Sequence, residues 1–248
     1  MKNIKKLIFV CCSLMLVLNA CKRDQYYTDG GLANPNWNGD MLNYLETKAV
    51  RFDTIAQIVK LAGLEDDFRK TDFTFFAPDD GVIKRTIGNM HTPGSLNWYL
   101  YTYSLGGKGD TVISLSQISP IVWRKYIQSF MFKGINKLKD YPQIDLSLRS
   151  IHPGALYYSY SGSVVNIGVS YASVNGVQYL GARTLEYSYI PDISHPDDNY
   201  YTNHIASSDI KPTNGVVHAL QDQQYYFGYD IGNFINDVYN TGLGPKPE

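Results

Sequence analysis

The apolar residues of this 248-residue chain change their spacing once, near Lys139. Upstream they recur at helical intervals: Met41, Leu42 and Leu45, then Ile55, Ile58, Val59 and Ala62, then Val82, Ile83 and Ile87. Helices are also predicted over Leu96 to Tyr103 and over Ile118 to Phe132. Downstream the interval falls towards two: "IDLSLRS", "ALYYSYS", "SVVNIGVSY", "GVQYLGA" and "LEYSYI" are short runs rich in Val, Ile and Tyr. Asn175-Gly176, between Val174 and Val177, is a dipeptide that a two-residue hairpin favours, because both central positions take positive φ. Helices followed by antiparallel strands, with no internal repeat and no convincing linker after residue 40, predict a single α+β domain.

Local signals refine this outline. "DFTFFAP" from Asp72 to Pro78 reads as a buried strand inside the helical half, and Asp79-Asp80 behind it can cap the next helix. Asp53 is placed as an N-cap and Gly63 as a helix stop. Near the end, "SDIKPTNGVVHAL" predicts a tight turn at Asn214-Gly215, stiffened by Pro212, and a closing strand in which His218 is a buried hydrogen-bonding residue. A short helix carrying Ile231, Phe234, Ile235 and Val238 follows.

Twenty-two basic and 23 acidic residues give a net charge of -1 with no single-sign block, so nucleic-acid binding is set aside. The first residues read as an export signal: Lys2, Lys5 and Lys6 precede an apolar run, Leu7 to Leu18, too short to span a bilayer. Leu18-Asn19-Ala20-Cys21 resembles the lipobox of bacterial lipoproteins, which implies a lipid on Cys21 and a membrane partner through that anchor. Lipidation also accounts for a thiol that has no partner once residues 1–20 leave with Cys11 and Cys12. Residues 21–39 are expected to be a flexible tether, 40–240 the domain, with insertions near 91–119 and 155–203, and 241–248 a tail. Lys22 after the cysteine points to the outer membrane, with the domain facing the cell exterior.

Few constellations offer chemistry. His195, Asp197, Asp198 and His204 are the sole local group of metal-ligand types, and their spacing matches no known site. Neither a nucleophile elbow nor a phosphate loop is present, so no catalytic residue, cofactor or metal is assigned. A pair of distant carboxylates, as in glycoside hydrolysis, is nominated by nothing in the sequence. Tyrosine is the outlier, with 21 residues. Such side chains suit half-buried strands and also sugar stacking or protein interfaces, so Trp37, Trp98, Tyr158, Tyr160, Tyr187 and Tyr189 are taken as candidate contacts.

Two stretches together resemble the fasciclin domain, an extracellular adhesion module. "FDTIAQIVKLAGLEDDFRKTDFTFFAPDDGVI" matches the family's helix, Ala-Gly-Leu and Thr-x-Phe-Ala-Pro strand, carried here by Thr74, Phe76, Ala77 and Pro78. "SSDIKPTNGVVHAL" matches its Asp-Ile, Thr-Asn-Gly-Val and apolar-His pattern, carried by Asp209, Asn214, Gly215 and His218. Between them "WRKYIQSFMFKG" keeps the apolar spacing and Gly134, with Ser129-Phe130 in the family's Tyr-His place. The resemblance covers about residues 40–228. It implies a β-sandwich or wedge of antiparallel strands with helices packed at one end, and no catalytic centre. The function expected of such a bacterial surface lipoprotein is binding or adhesion, with a protein partner, by analogy an outer-membrane nutrient-uptake complex. Two alternatives stand beside it: a glycan-binding accessory protein using exposed Tyr and Trp, and a surface polysaccharide hydrolase.

Overall fold

The computed structural model describes residues 34–103, 111–221 and 225–247. Residues Pro35–Glu248 form one compact unit. Its frame is β1, Phe73–Ala77, every residue of which is buried. β1 runs parallel to β7, Gly215–Leu220, which is buried throughout as well. Strands covered on both faces read as continuous apolar runs rather than alternating ones, and that is the pattern of "FTFFA" and "GVVHAL".

The remaining strands are β2 (Met131–Lys133), β3 (Ala155–Tyr158), β4 (Val164–Tyr171), β5 (Arg183–Ile190) and β6 (Tyr201–Ile210), giving a seven-stranded sheet in the order β2-β1-β7-β6-β5-β4-β3. All its pairings but β1–β7 are antiparallel. The sheet curls until its ends nearly meet, where Tyr160 N–H donates to Met131 O at 2.9 Å. One face of β1 meets helices, with Phe68 packed on Phe73 and Phe75 at 5.0 and 4.9 Å. The other face meets the far strands, with Phe76 packed 4.8 Å from Tyr187. The α+β class agrees with the sequence expectation, while the parallel β1–β7 pairing departs from the antiparallel strands expected.

The helices are α1 (Met41–Thr47), α2 (Ala49–Leu61), α3 (Glu65–Lys70), α4 (Asp80–Ile87), α5 (Leu96–Tyr103), α6 (Pro120–Gln128) and α7 (Ile231–Thr241). Aspartate N-caps start three of them: Asp40, Asp79 and Asp230 accept from Asn43, Gly81 and Asn233 N–H, each cap being worth about 1 kcal/mol. Gly63, at φ 66°, follows α2 as expected.

Several expectations are corrected. Asp53 does not cap α2; it lies inside the helix and accepts from Gln57 Nε2. The helix expected through Phe132 stops at Gln128, because Phe130, Met131 and Phe132 are all buried, which one helix stripe cannot achieve but an inner strand can. "IDLSLRS" is a run of turns, since Asp145 Oδ1 accepts from both Ser147 N–H and Ser147 Oγ–H. "GVQYLGA" forms no strand of its own: beyond the Asn175-Gly176 turn, whose φ values are 51° and 80°, it pairs at the isolated Val174–Val177 bridge and again where Gly181 N–H donates to Ala172 O at 2.8 Å. The tether expected to reach residue 39 gives way by Pro35: Lys211 N–H donates to Pro35 O at 2.7 Å and Trp37 N–H to Lys211 O at 2.8 Å.

Candidate functional site: the outer face of the strand-rich half

The motif residues form a hydrogen-bond lattice around residues 134–138. Thr74 Oγ1 donates to Gly134 O (2.8 Å) and accepts from Asn136 N–H (2.9 Å). His218 Nε2 lies 3.0 Å from Asn136 O, while its Nδ1 accepts from Asp209 N–H at 3.2 Å, so Nε2 carries the proton. Asp209, at φ 60°, accepts from Leu138 N–H at 2.7 Å. His218 is fully buried, and desolvation pulls its pKa down to about 4, which keeps it neutral. As the sequence predicts, it ties strands together.

Asn214 does something else than expected. Its backbone is not in the left-handed region. Its side chain accepts from Met41 N–H (2.8 Å) and donates to Phe68 O and Thr71 O (2.9 and 3.2 Å). It thus staples the start of β7 to α1 and to the end of α3. Gly215 takes φ 130° with its backbone against Phe73, where a Cβ would lie 2.2 Å from Phe73 O. Ala77 and Pro78 are buried at the end of β1. These signature residues are consumed in holding the fold.

The six candidate contacts scatter. Trp37 is half-buried, its ring 5.5 Å from Tyr44 and its Nε1–H donating to Asn43 Oδ1. Trp98 is half-buried beside Tyr99 and Tyr103. Tyr187 is fully buried and belongs to the core, because its position on β5 points inward between Phe130 and Tyr229. Tyr189 stacks on Tyr229 at 5.2 Å. Tyr160 packs 6.2 Å from Phe73 at the seam. Tyr158 alone of the four tyrosines stands well out from the surface, 66% exposed on β3.

Strand parity explains the division. Val165, Ile167 and Val169 on β4, with Leu185 and Tyr187 on β5, enter the core. Asn166, Gly168, Ser170, Glu186, Ser188 and His204 therefore share the outer face. That face is not left to solvent. Ile144 lies over Gly168, where a Cβ would meet Ile144 Cβ at 2.5 Å, and Asn166 Nδ2 donates to Pro153 O at 2.9 Å. Asn166, Glu186 and Ser188 are consequently buried, at 8%, 7% and 0% exposure.

Two clefts open on either side of the covering segment. The first, of about 340 Å³, is lined by Asp145, Ser147, Ser170, Tyr171, Tyr179 and Glu186. Ser170 Oγ donates to Glu186 Oε1 at 2.9 Å, and His204 Nδ1 stands 2.6 Å from Glu186 Oε2 without a hydrogen bond's alignment. Asp145 shares this cleft, but its oxygens accept from Ser147 and, at 2.8 Å, from Tyr179 Oη. The Ser147 hydroxyl, then that of Tyr179, holds the Asp145 carboxyl below the usual carboxylate range.

The second cleft, of about 420 Å³, lies among Arg149, Ser150, Pro153, Leu156, Asn166 and Asp197. Arg149 Nη1 pairs with Asp197 Oδ1 at 2.7 Å, and the guanidinium lies over the Tyr200 ring at 4.2 Å. Three of the four residues weighed as metal ligands turn their side chains to different partners: His195 to Asp192, Asp197 to Arg149 and His204 to Glu186. Among the described residues no group of three or more His, Cys, Asp or Glu is placed to hold a metal ion. Sequence reasoning named neither Arg149 nor Asn166. They belong to no motif, and only the fold of 144–154 across β4 brings them together.

No protein-family model matches the chain, and no curated protein does. Among solved structures it is similar to a FAS1 domain pair from the insect cell adhesion molecule fasciclin I, with a TM-score of 0.45 at 18% identity, over 81% of this chain and 52% of that one, so that it spans about half the length of the matched chain.

Proposed function

We propose that this is a lipid-anchored cell-surface binding protein with a fasciclin-like domain, which catalyses nothing and presents the outer face of β3–β6 to its partner. The observation that carries the reading is a division of labour. Thr74, Asp209, Asn214 and His218 spend their hydrogen bonds inside the fold, whereas the polar clefts lie on the tyrosine-rich segments outside that lattice. Binding residues commonly sit on loops positioned by a rigid scaffold.

The anchor in this reading is the lipid on Cys21, which lies outside the described residues. The leader and lipobox support it, together with an outer-membrane location facing the cell exterior. Among the described residues no helix is long and apolar enough to cross a membrane. The partner proposed is a protein of an outer-membrane nutrient-uptake complex, for which the protein serves as accessory subunit. Purification of the native lipoprotein in mild detergent tests this: recovery with a stoichiometric membrane partner supports it, and recovery as a lone monomer overturns it.

A further inference from the structure

The strand pairings decide which connections share an end of the sheet. The starts of β1, β3, β5 and β7 and the ends of β2, β4 and β6 lie together, because β1 and β7 run parallel and every other pair of neighbours antiparallel. The chain enters the domain at this end: Asn36 bridges Lys211, just past β6, and Thr213 N–H donates to Gly39 O at 2.9 Å. Large apolar side chains stand in solvent there. Val174, Val177 and Leu180, in the β4–β5 connection, are 41%, 53% and 67% exposed, and Ile135, in the loop after β2, is 46% exposed. Residues 172–178 are exposed without interruption, so the connection projects beyond the strands.

The projection is held in shape. Val174 and Val177 exchange both backbone hydrogen bonds, at 3.0 and 2.9 Å, and Ala172 N–H donates to Ala182 O at 2.9 Å. Tyr179 takes φ 62°, an outlying backbone for a bulky residue, while its hydroxyl donates to Asp145 and its ring packs 5.2 Å from His152. With Tyr179 pinned down, the neighbouring Leu180 is turned out. Apolar side chains grouped on a surface in this way mark a contact with another apolar body. The charged residues that bound the strands here, Lys133, Arg183 and Lys211 against Asp72, leave this end slightly basic, which suits the anionic surface of a lipid leaflet.

What covers this end follows from where the chain enters. Only residues 22–34 separate Cys21 from Pro35. A coil of about 13 residues reaches about 20 Å on average, whereas a domain the size of Pro35–Glu248 is about 40 Å across. With a lipid on Cys21, the end that the chain enters is held against the bilayer and the opposite end away from it. We propose that Val174, Val177 and Leu180, with Ile135, seat in the lipid surface that carries the anchor. The proposal rests on the reading of the protein as lipid-anchored and gives the domain its orientation, with the outer face of β3–β6 turned along the membrane towards an embedded partner.

The test uses the full lipoprotein reconstituted into vesicles of phosphatidylethanolamine and phosphatidylglycerol. With Cys21 acylated and Cys11 and Cys12 removed with the leader, Val177→Cys supplies the sole free thiol and takes a polarity-sensitive fluorophore. Its emission should shift to the blue on reconstitution. Lipids spin-labelled near the headgroup should quench it severalfold more than the same probe at Ile193→Cys, which is 47% exposed in the β5–β6 connection at the opposite end. Adding Leu180→Asp and Ile135→Asp to the Val177→Cys protein should reduce the quenching severalfold at an unchanged melting temperature, since both side chains are exposed. Water-like emission from residue 177 in protein that sediments with the vesicles overturns the docking and leaves the lipid-anchored reading standing. Protein that does not sediment with vesicles overturns both. Equal quenching at 177 and 193, or quenching that survives the two aspartates, overturns the docking. A blue shift without lipid quenching that grows with protein density overturns it in favour of a second copy of the chain.

Discussion

His218 and Asn214 show how single side chains set this fold. His218 is neutral when buried, with a pKa near 4 against 6.5 in an unfolded chain. The unfolded state therefore binds the proton more readily, so the stability that depends on a neutral His218 is fully present above pH 6.5 and is lost as the pH falls towards 4. Unfolding by urea should show about 2 kcal/mol less stability at pH 5 than at pH 7 from this residue, and a His218→Gln variant should show a flatter profile. A His218 imidazole resonance, assigned by its loss in that variant, that titrates near pH 6.5 in the folded protein would contradict the burial. Asn214→Ala strands Met41 N–H and two carbonyls, and should cost about 2–4 kcal/mol in the same measurement. His218 was legible in the sequence, since a lone histidine in an apolar run between turn residues has little else to do. The work of Asn214 was not: its partners lie 143–173 residues away, and an Asn-Gly pair suggests a turn first. Arg149 and Asn166 were invisible for a related reason, because only the fold of 144–154 across β4 brings them together.

At the scale of elements, hydrophobic spacing located most helices and strands, and it failed where two signals competed. Phe130 to Phe132 continued a helical period but were too uniformly apolar for a helix face. In "IDLSLRS" the Asp-x-Ser turn chemistry outweighed the alternation. The parallel pairing of β1 with β7 was present as two continuous apolar runs, yet nothing in either run names its neighbour. The covering of β4 by residues 142–154 depends on Gly168, where any side chain collides with Ile144 and with Pro142 O. Gly168→Val should destabilise the protein by about 1–3 kcal/mol through overpacking. Limited proteolysis should then cut first between Asp145 and Pro153; an unchanged cleavage pattern would show that the segment is not seated on Gly168.

The molecule as a whole separates a scaffold, built by the two motif stretches, from an outer face assembled by the segments between them. The scaffold was readable in advance because short-range apolar runs and turn residues encode it. The face was not, because the tyrosines nominated for it divide by strand parity, Tyr187 and Tyr189 inward and Tyr158 outward. If Cys21 carries the lipid, Cys21→Ser should move the protein from the membrane fraction to the soluble one, as expected when acyl chains supply the anchoring energy. Continued sedimentation of the variant with membranes would contradict the anchor.

The claim that binding resides on the outer face is tested most directly by capturing the lipoprotein from solubilised outer membranes as wild type and as an Arg149→Lys, Glu186→Gln double variant of equal melting temperature. The account predicts that the wild type brings a stoichiometric partner and that the double variant loses it. Equal recovery of the partner by both would contradict it.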